Sequence, residues 1–357
     1  MKDIVIAIKD LMEKIGRPVR LMEVCGTHTV AIFRHGIRNL LPEGVVLLSG
    51  PGCPVCVTSI RDVDTAIAIA KSDGVVMTTF GDMMRVPGSG KSLFNAKAEG
   101  ADIRIVYSPL DALRIAEEEK SRRVVFFATG FETTSPSVAG TIREAERKGI
   151  GNFYVYSVHK TVPPALKALL ESGEVRVDGF ILPGHVSTVI GSGPYEFIAS
   201  GHKKPSVITG FDAADILSGI RMILGQIAAG IAEVKIQYTR VVRPEGNPKA
   251  LSIMNECFEP EDAEWRGIGT IPLSGLKVRE AFKHRDIGSV LRPEVRSQNE
   301  QTACSCGEVL KGIKMPTDCR LFGKACTPDR PVGPCMVSSE GSCAAYYKYK
   351  AIEGMKI

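Results

Sequence analysis

Arg20-Leu21-Met22-Glu23-Val24-Cys25-Gly26-Thr27-His28-Thr29 decides how the rest of the chain is read. Its first half is a short buried strand. Its second half is a turn, opened by Gly26, in which a thiol and an imidazole stand three residues apart. Gly26 removes the side chain that would block a close approach to the backbone. Open α/β sheets place ligands beyond the carboxyl ends of their strands. A Cys/His pair there can hold a transition metal or act as a nucleophile. A buried thiol beside a turn histidine is the plain alternative, since free cysteine commonly behaves as a small hydrophobe.

The same layout recurs outward from that stretch. Residues 45–48 read as a strand that runs into Ser49-Gly50-Pro51-Gly52-Cys53-Pro54-Val55-Cys56. A C-x-x-C at a strand-to-helix junction is a redox or metal pattern, because a helix N-terminus lowers the pKa of one thiol. Strands at 74–79, 103–107 and 124–128 follow, the last leading into Thr129-Gly130-Phe131-Glu132-Thr133-Thr134. Strands at 154–158, 179–182 and 207–209 lead into His159-Lys160, Pro183-Gly184-His185-Val186-Ser187 and Gly210-Phe211-Asp212. For His159 and His185, cap or turn roles compete with function. Helical spacing at 3–16 ends at Gly16, and the longest apolar helical run spans about 213–234. Alternation of strand and helix predicts mostly parallel sheets. The expected fold class is α/β: two doubly wound Rossmann-like units in tandem, residues 1–119 and 120–234, plus a third, Cys-rich iron–sulfur domain over 235–357. Past 235 the texture changes to loops and short strands, with helix-like pieces at 278–281 and 284–286.

Composition narrows the class. The chain has 357 residues, 44% of them hydrophobic and 24% charged, with a net charge of +5. That balance describes a soluble globular protein with no basic patch for nucleic acid. The N-terminus lacks a signal-peptide pattern, and the apolar run near 213–234 is broken by Asp215, Arg221, Gln226 and Glu233. The expectation is a cytoplasmic protein with no membrane partner. Gly90-Lys91-Ser92 resembles the end of a phosphate loop, but the required first glycine is Arg85. Weak nucleotide hydrolysis is the most this loop suggests.

Ten cysteines remain to be explained. Disulfides are uncommon in a reducing compartment, so clustered cysteine points to metal or redox chemistry. Cys257 stands alone and reads as structural. Six fall in the tail: Cys304-x-Cys306, then 12 residues to Cys319, 6 to Cys326, 8 to Cys335 and 7 to Cys343. A cubane cluster takes four thiolates, which leaves two for redox work; zinc is the competing metal. This tail lacks the apolar content to fold by itself, and a metal centre would supply stability.

The motifs C-G-T-H-T, G-P-G-C-P-V-C, G-F-E-T-T, P-G-H-V-S and the six-cysteine tail, in this order, resemble the HypD family of hydrogenase maturation factors over essentially the full chain. The resemblance implies a scaffold and redox component on which the Fe(CN)2CO group of NiFe-hydrogenase is assembled. It implies a HypC-like small chaperone and a HypE-like cyanide donor as partners. It further implies a 4Fe–4S cluster on Cys304, Cys319, Cys326 and Cys343, with Cys306 and Cys335 as a neighbouring redox pair. Cys53 and Cys56 are then a second thiol pair, and Cys25 the ligand to the transient iron carrying CN and CO, with His28 beside it. Glu132, His185 and Asp82 would supply protons or hold the cyanide donor. A thiol–disulfide oxidoreductase acting on protein substrates is the alternative reading of the same cysteines. The loops of Cys25, Cys53/Cys56 and His185 are expected to converge.

Overall fold

The structure is a computed structural model, and it describes residues 1–295 and 303–353. The chain divides into two compact units, each built from separated segments. The first comprises Met1–Cys53, Val162–Pro248 and Ala303–Ile357; the second comprises Pro54–Thr161 and Lys249–Thr302. The contiguous spans 1–119, 120–234 and 235–357 are therefore cut differently from the expectation. The α/β units interleave along the chain rather than following one another. The six-cysteine tail belongs to the first unit.

The first unit holds a five-stranded sheet. Its strands are β1 (Val19–Glu23), β2 (Val45–Ser49), β7 (Gly179–Pro183), β8 (Ser206–Thr209) and β9 (Val234–Ile236), in the order β2-β1-β7-β8-β9. Every pairing is parallel, with Leu21 opposite Leu47 on one side and Gly179 on the other. Parallel sheets are covered on both faces, which is why these strands read as nearly continuous apolar runs. One face packs the helices Lys2–Ile15 and Ala213–Ala229 through Ile8, Leu21, Ile181, Ile216, Ile220 and Ile223. Gly179 permits this close packing, since a Cβ there would stand 2.7 Å from Ile223 Cγ2. The helix Lys2–Ile15 stops at Gly16, φ 67°, as its sequence predicts. The run expected to reach residue 234 stops at Gly230, φ 68°, and Val234 opens β9 instead. Left-handed glycine ends a helix at little cost, and that outweighed the apolar periodicity beyond it. No helix among the described residues is long and apolar enough to cross a membrane.

The second unit holds β3 (Val75–Thr79), β4 (Ile103–Ile105), β5 (Arg123–Ala128) and β6 (Phe153–Ser157), all parallel, in the order β4-β3-β5-β6. The helix Pro248–Cys257 and an antiparallel hairpin, β10 (Phe258–Trp265) and β11 (Gly269–Val278), complete its core around Phe126, Phe153, Met254, Phe258 and Leu276. The hairpin is longer than the short strands expected there. It takes in Val278 and displaces part of the anticipated 278–281 helix, and a 3-10 turn at Glu280–Arg285 follows. Cys257 lies wholly buried in this core, its thiol 3.6 Å from the Ala139 carbonyl. His159 is buried as well. Its Nδ1 meets the Ser157 hydroxyl at 3.0 Å, and burial lowers its pKa to about 3. In the Gly90-Lys91-Ser92 loop, Ser92 caps the helix Leu93–Ala98 and Lys91 pairs with Glu99 at 2.5 Å. Both phosphate-loop side chains are thus engaged locally.

The tail forms no separate domain. The helix Ser342–Glu353 lays Ala345 and Tyr346 on Phe33 of the helix Gly26–Arg34, with Val30, Met315 and Phe322 around them. Arg38 stacks over the Phe33 and Tyr346 rings at 5.0 and 5.2 Å. A segment this poor in apolar residues borrows its core from the unit that carries Cys25.

Candidate functional site

In the first sheet the chain places β2 on one side of β1 and β7 on the other. The order reverses between β1 and β7, and ligands of such sheets bind at that reversal, outside the carboxyl ends of the strands. Cys25 follows β1 and His185 follows β7. In the second unit the reversal falls between β3 and β5, whose carboxyl ends lead to Asp82 and Glu132. Cys56 also belongs to that unit.

Cys25 leaves β1 in extended conformation, φ −156°, and caps the helix Gly26–Arg34. Its side chain is buried. Two glycines make the fit. A Cβ on Gly52 would stand 2.2 Å from the Cys25 nitrogen, and one on Gly26 would stand 2.5 Å from the Glu340 carbonyl oxygen. The Gly26 N–H donates to the Gly52 carbonyl at 3.0 Å, so the loop leading into Cys53 lies against the Cys25 turn. Cys53 and Cys56 are disulfide-bonded, and no other cysteine is. Burial pushes the Cys25 thiol up to about 12, the Glu340 carboxylate adds to the rise, and the His28 and Thr27 amides pull the other way. A thiolate forms here when a cation displaces the proton.

His28 is fully buried beside it. Its Nε2 lies 3.0 Å from the Gly210 carbonyl and 2.9 Å from the Thr209 hydroxyl. Burial lowers its pKa to about 4 and keeps the ring neutral. Phe211 stands between two imidazoles, stacked on His28 at 4.6 Å and on His185 at 4.0 Å. His185 is exposed at the edge of this stack. The structure thus gathers Cys25, His28, His185 and the approach to Cys53 within one unit.

Sequence reading missed two carboxylates here. Glu23, the last residue of β1, is buried; it accepts from the Thr29 hydroxyl at 2.5 Å and the Cys25 amide at 3.4 Å. Burial raises its pKa from 4.5 to about 7, against the Thr29 hydrogen bond. An acid at the end of a strand whose neighbours Leu21, Met22 and Val24 are all apolar was the available signal. Glu340 accepts from the Thr27 hydroxyl at 2.6 Å. Nothing in the tail's spacing marks it.

Glu23 gives the site a pH signature. A folded carboxyl that holds its proton more tightly than the unfolded one stabilises the fold fully below pH 4.5, and this contribution is lost as pH rises through about 7. Glu23→Gln should remove that slope. Measured by denaturant unfolding, the variant should gain about 3 kcal/mol on the parent between pH 4.5 and about pH 8. The depressed His28 pKa slopes the opposite way but is common to both proteins.

The six tail cysteines line one small cavity together with Val309, Phe322 and Met336. The Cys306 and Cys335 sulfurs are 2.7 Å apart, and the Val332 N–H donates to Cys326 Sγ at 3.3 Å. Burial, and then the four thiols of Cys306, Cys304, Cys326 and Cys319, drive the Cys343 pKa far up. Thiols crowded this closely ionise together only around a cation, so the donor set fits a thiolate-held metal cluster in kind and number. Among the described residues, no three His, Cys, Asp or Glu side chains are drawn in to metal-ligand geometry as they stand. The six share a cavity rather than a finished coordination polyhedron.

Fold and site together define an α/β protein with thiol- and imidazole-bearing loops at a sheet's reversal point and a cysteine-lined cavity in the same unit. The HypD family model, described as "Hydrogenase formation hypA family", matches residues 1–350. The chain is 50% identical over 340 residues to "Hydrogenase maturation factor HypD" of Azotobacter vinelandii, covering 93% of this chain and 90% of the relative. The protein of that name from Rhodobacter capsulatus is 47% identical over 357 residues, covering 98% and 95%. That from Escherichia coli is 46% identical over 338 residues, covering 94% and 91%. The chain belongs to the HypD family of hydrogenase maturation factors, and its role is in hydrogenase assembly.

Proposed function

We propose that the chain is the scaffold and redox component on which the Fe(CN)2CO group of NiFe-hydrogenase is built, with a HypC-like iron carrier and a HypE-like cyanide donor as partners. The observation that carries this reading is the contact between the tail and the Cys25 turn. Glu340 holds the Thr27 hydroxyl, and its backbone occupies the space a side chain on Gly26 would fill. A cysteine-rich segment and a candidate iron ligand are thereby built as one piece.

Cys25 binds the iron as cargo, because a soft thiolate suits a low-spin Fe(II) that carries cyanide and CO. Cys304, Cys319, Cys326 and Cys343 would hold a 4Fe–4S cluster, which supplies electrons one at a time when bound. Cys306 and Cys335 form the adjacent redox pair, and Cys53 with Cys56 a second thiol pair. Cleaving the sulfur–carbon bond of a thiocyanate to release cyanide consumes two electrons and one proton. Oxidising the Cys53/Cys56 dithiol to its disulfide provides two electrons and two protons: both electrons and one proton go to the cleaved bond, leaving the donor's thiol and free cyanide, and the second proton is released to solvent. His185 and Glu132 stand at strand ends as candidate proton carriers, and Asp82 as a donor-binding residue.

Infrared spectroscopy of the chain purified anaerobically with its small partner tests this. The parent should show CN and CO bands, and Cys25→Ala should lose them while keeping the parent's unfolding midpoint. Bands that persist in Cys25→Ala would end the ligand assignment. A thiol–disulfide oxidoreductase would instead turn over a dithiol substrate without any partner, and no such turnover is expected.

A further inference from the structure

The loop after β8, Gly210-Phe211-Asp212, repeats the strand-end pattern, yet the assembly chemistry leaves it without a task. The strand paired beside it, β7, leads into His185. His185 is exposed, and among the described residues its ring makes no hydrogen bond and no ion pair. What it does touch is the Phe211 ring, with 4.0 Å between centroids and 29° between planes. An exposed side chain without a hydrogen bond samples several rotamers. A flat aromatic surface against its ring favours the one that stacks.

Phe211 can serve as that surface because it is itself held. The His28 ring stacks on it at 4.6 Å, and Tyr238 meets it edge to face, with centroids 6.0 Å apart at 85°. His28 is fixed in turn, its Nε2 facing the Gly210 carbonyl and the Thr209 hydroxyl. Gly184 leaves the room. A Cβ there would stand 2.4 Å from the Thr209 carbonyl oxygen, 3.1 Å from Tyr238 Cδ1 and 3.2 Å from Phe211 Cε2. The glycine of the P-G-H-V-S motif thus lets the His185 loop close onto the Phe211 loop. A leucine at 211 would be as apolar but would offer no flat face to an imidazole. Glu340 links the stack to Cys25. Burial raises the Cys25 pKa and the Glu340 carboxylate adds to the rise; burial lowers the His185 pKa and the same carboxylate opposes the fall.

We propose that Phe211 is a positioning residue: its ring holds the His185 imidazole at the Cys25 turn with both ring nitrogens open. The proposal rests on reading that turn as the iron-assembly site and His185 as its proton carrier. A stacked imidazole keeps its place while either nitrogen takes up or delivers a proton. A histidine held by hydrogen bonds would have to break one to do so.

NMR of the full chain, labelled with carbon-13 in the rings of its six histidines, tests this, with His185→Gln assigning the signal. In the parent, the His185 ring protons should lie upfield of those of a free histidine, because they stand against the Phe211 face. Phe211→Leu should return them to the free position and leave His35, His159, His202 and His284 unchanged. Phe211→Tyr, which keeps the flat face, should keep the parent shift. The second measurement is the rate at which CN bands appear when the chain meets its small partner and the cyanide donor. His185→Ala should slow it on the order of 100-fold and Phe211→Leu about tenfold, with Phe211→Tyr at the parent rate. The double variant Phe211→Leu/His185→Ala should be no slower than His185→Ala alone, since Phe211 acts through His185. A parent His185 without the upfield shift overturns the proposal. So does a Phe211→Leu protein with an unchanged His185 signal, or a double variant slower than His185→Ala. If Phe211→Leu does not fold, Phe211→Met, which also lacks a flat face, is read in the same way. His185→Ala at the parent rate, with the ring shift present, would instead strike the reading of His185 as proton carrier.

Discussion

Gly52→Ala should destabilise the first unit on the order of 3 kcal/mol and abolish iron assembly, although it adds one methyl group. The new Cβ would fall 2.2 Å from the Cys25 nitrogen, 2.4 Å from the Val24 carbonyl carbon and 2.5 Å from the Cys25 Cα. All three are backbone atoms at the end of a strand paired on both sides, so none can swing aside. Relief requires the Cys53 loop to lift off the Cys25 turn, which breaks the Gly26–Gly52 hydrogen bond and carries the second thiol pair away. Gly90→Ala is the matched control: a Cβ there meets nothing within 4 Å. Denaturant unfolding and the CN and CO bands should separate the two variants. Equal stability would mean that the loops are not packed as described.

Cys343→Ser should empty the tail of iron, lowering the metal content of anaerobically purified protein by about four atoms per chain. Cys343 sits in the first turn of the helix Ser342–Glu353, which lies on Phe33, so the effect should reach further than a lost ligand. A tail without its metal has few apolar contacts of its own, and the Glu340 contact with Thr27 should loosen with it. Iron analysis and thermal unfolding check both parts. Cys257→Ser, in the core of the other unit, should lower stability through its buried hydroxyl and leave the iron in place. A Cys343→Ser protein that kept its full iron would remove Cys343 from the ligand set.

The residues at the strand ends could be read from the chain because their signals are local. A strand of buried residues followed by glycine and a reactive side chain is visible at Cys25, Glu132 and His185 without knowing any neighbour. Sheet membership is not local. Val75–Thr79 and Gly179–Pro183 look alike as apolar strands, yet the first joins β4 and β5 and the second joins β1 and β8. Parallel strands are joined by crossovers long enough to reach either sheet, so the interleaving left no mark on the composition. The cysteine tail looked like a domain because its periodicity fades, but its missing core is supplied by Phe33, far away in sequence. Glu340 and Phe211 acquire their roles only through partners between 26 and 313 residues distant along the chain. Glu23 was readable in principle, as the one acid in a strand otherwise suited to burial.

As proposed, Cys25 carries the iron under construction while the tail holds a separate cluster. The Mössbauer spectrum of the chain purified anaerobically with its small partner addresses it most directly. The parent should show two iron components, one from a 4Fe–4S cluster and one from low-spin Fe(II). Cys25→Ala should lose the low-spin component and retain the cluster. A single component in the parent, or a low-spin component that survives in Cys25→Ala, would contradict the account.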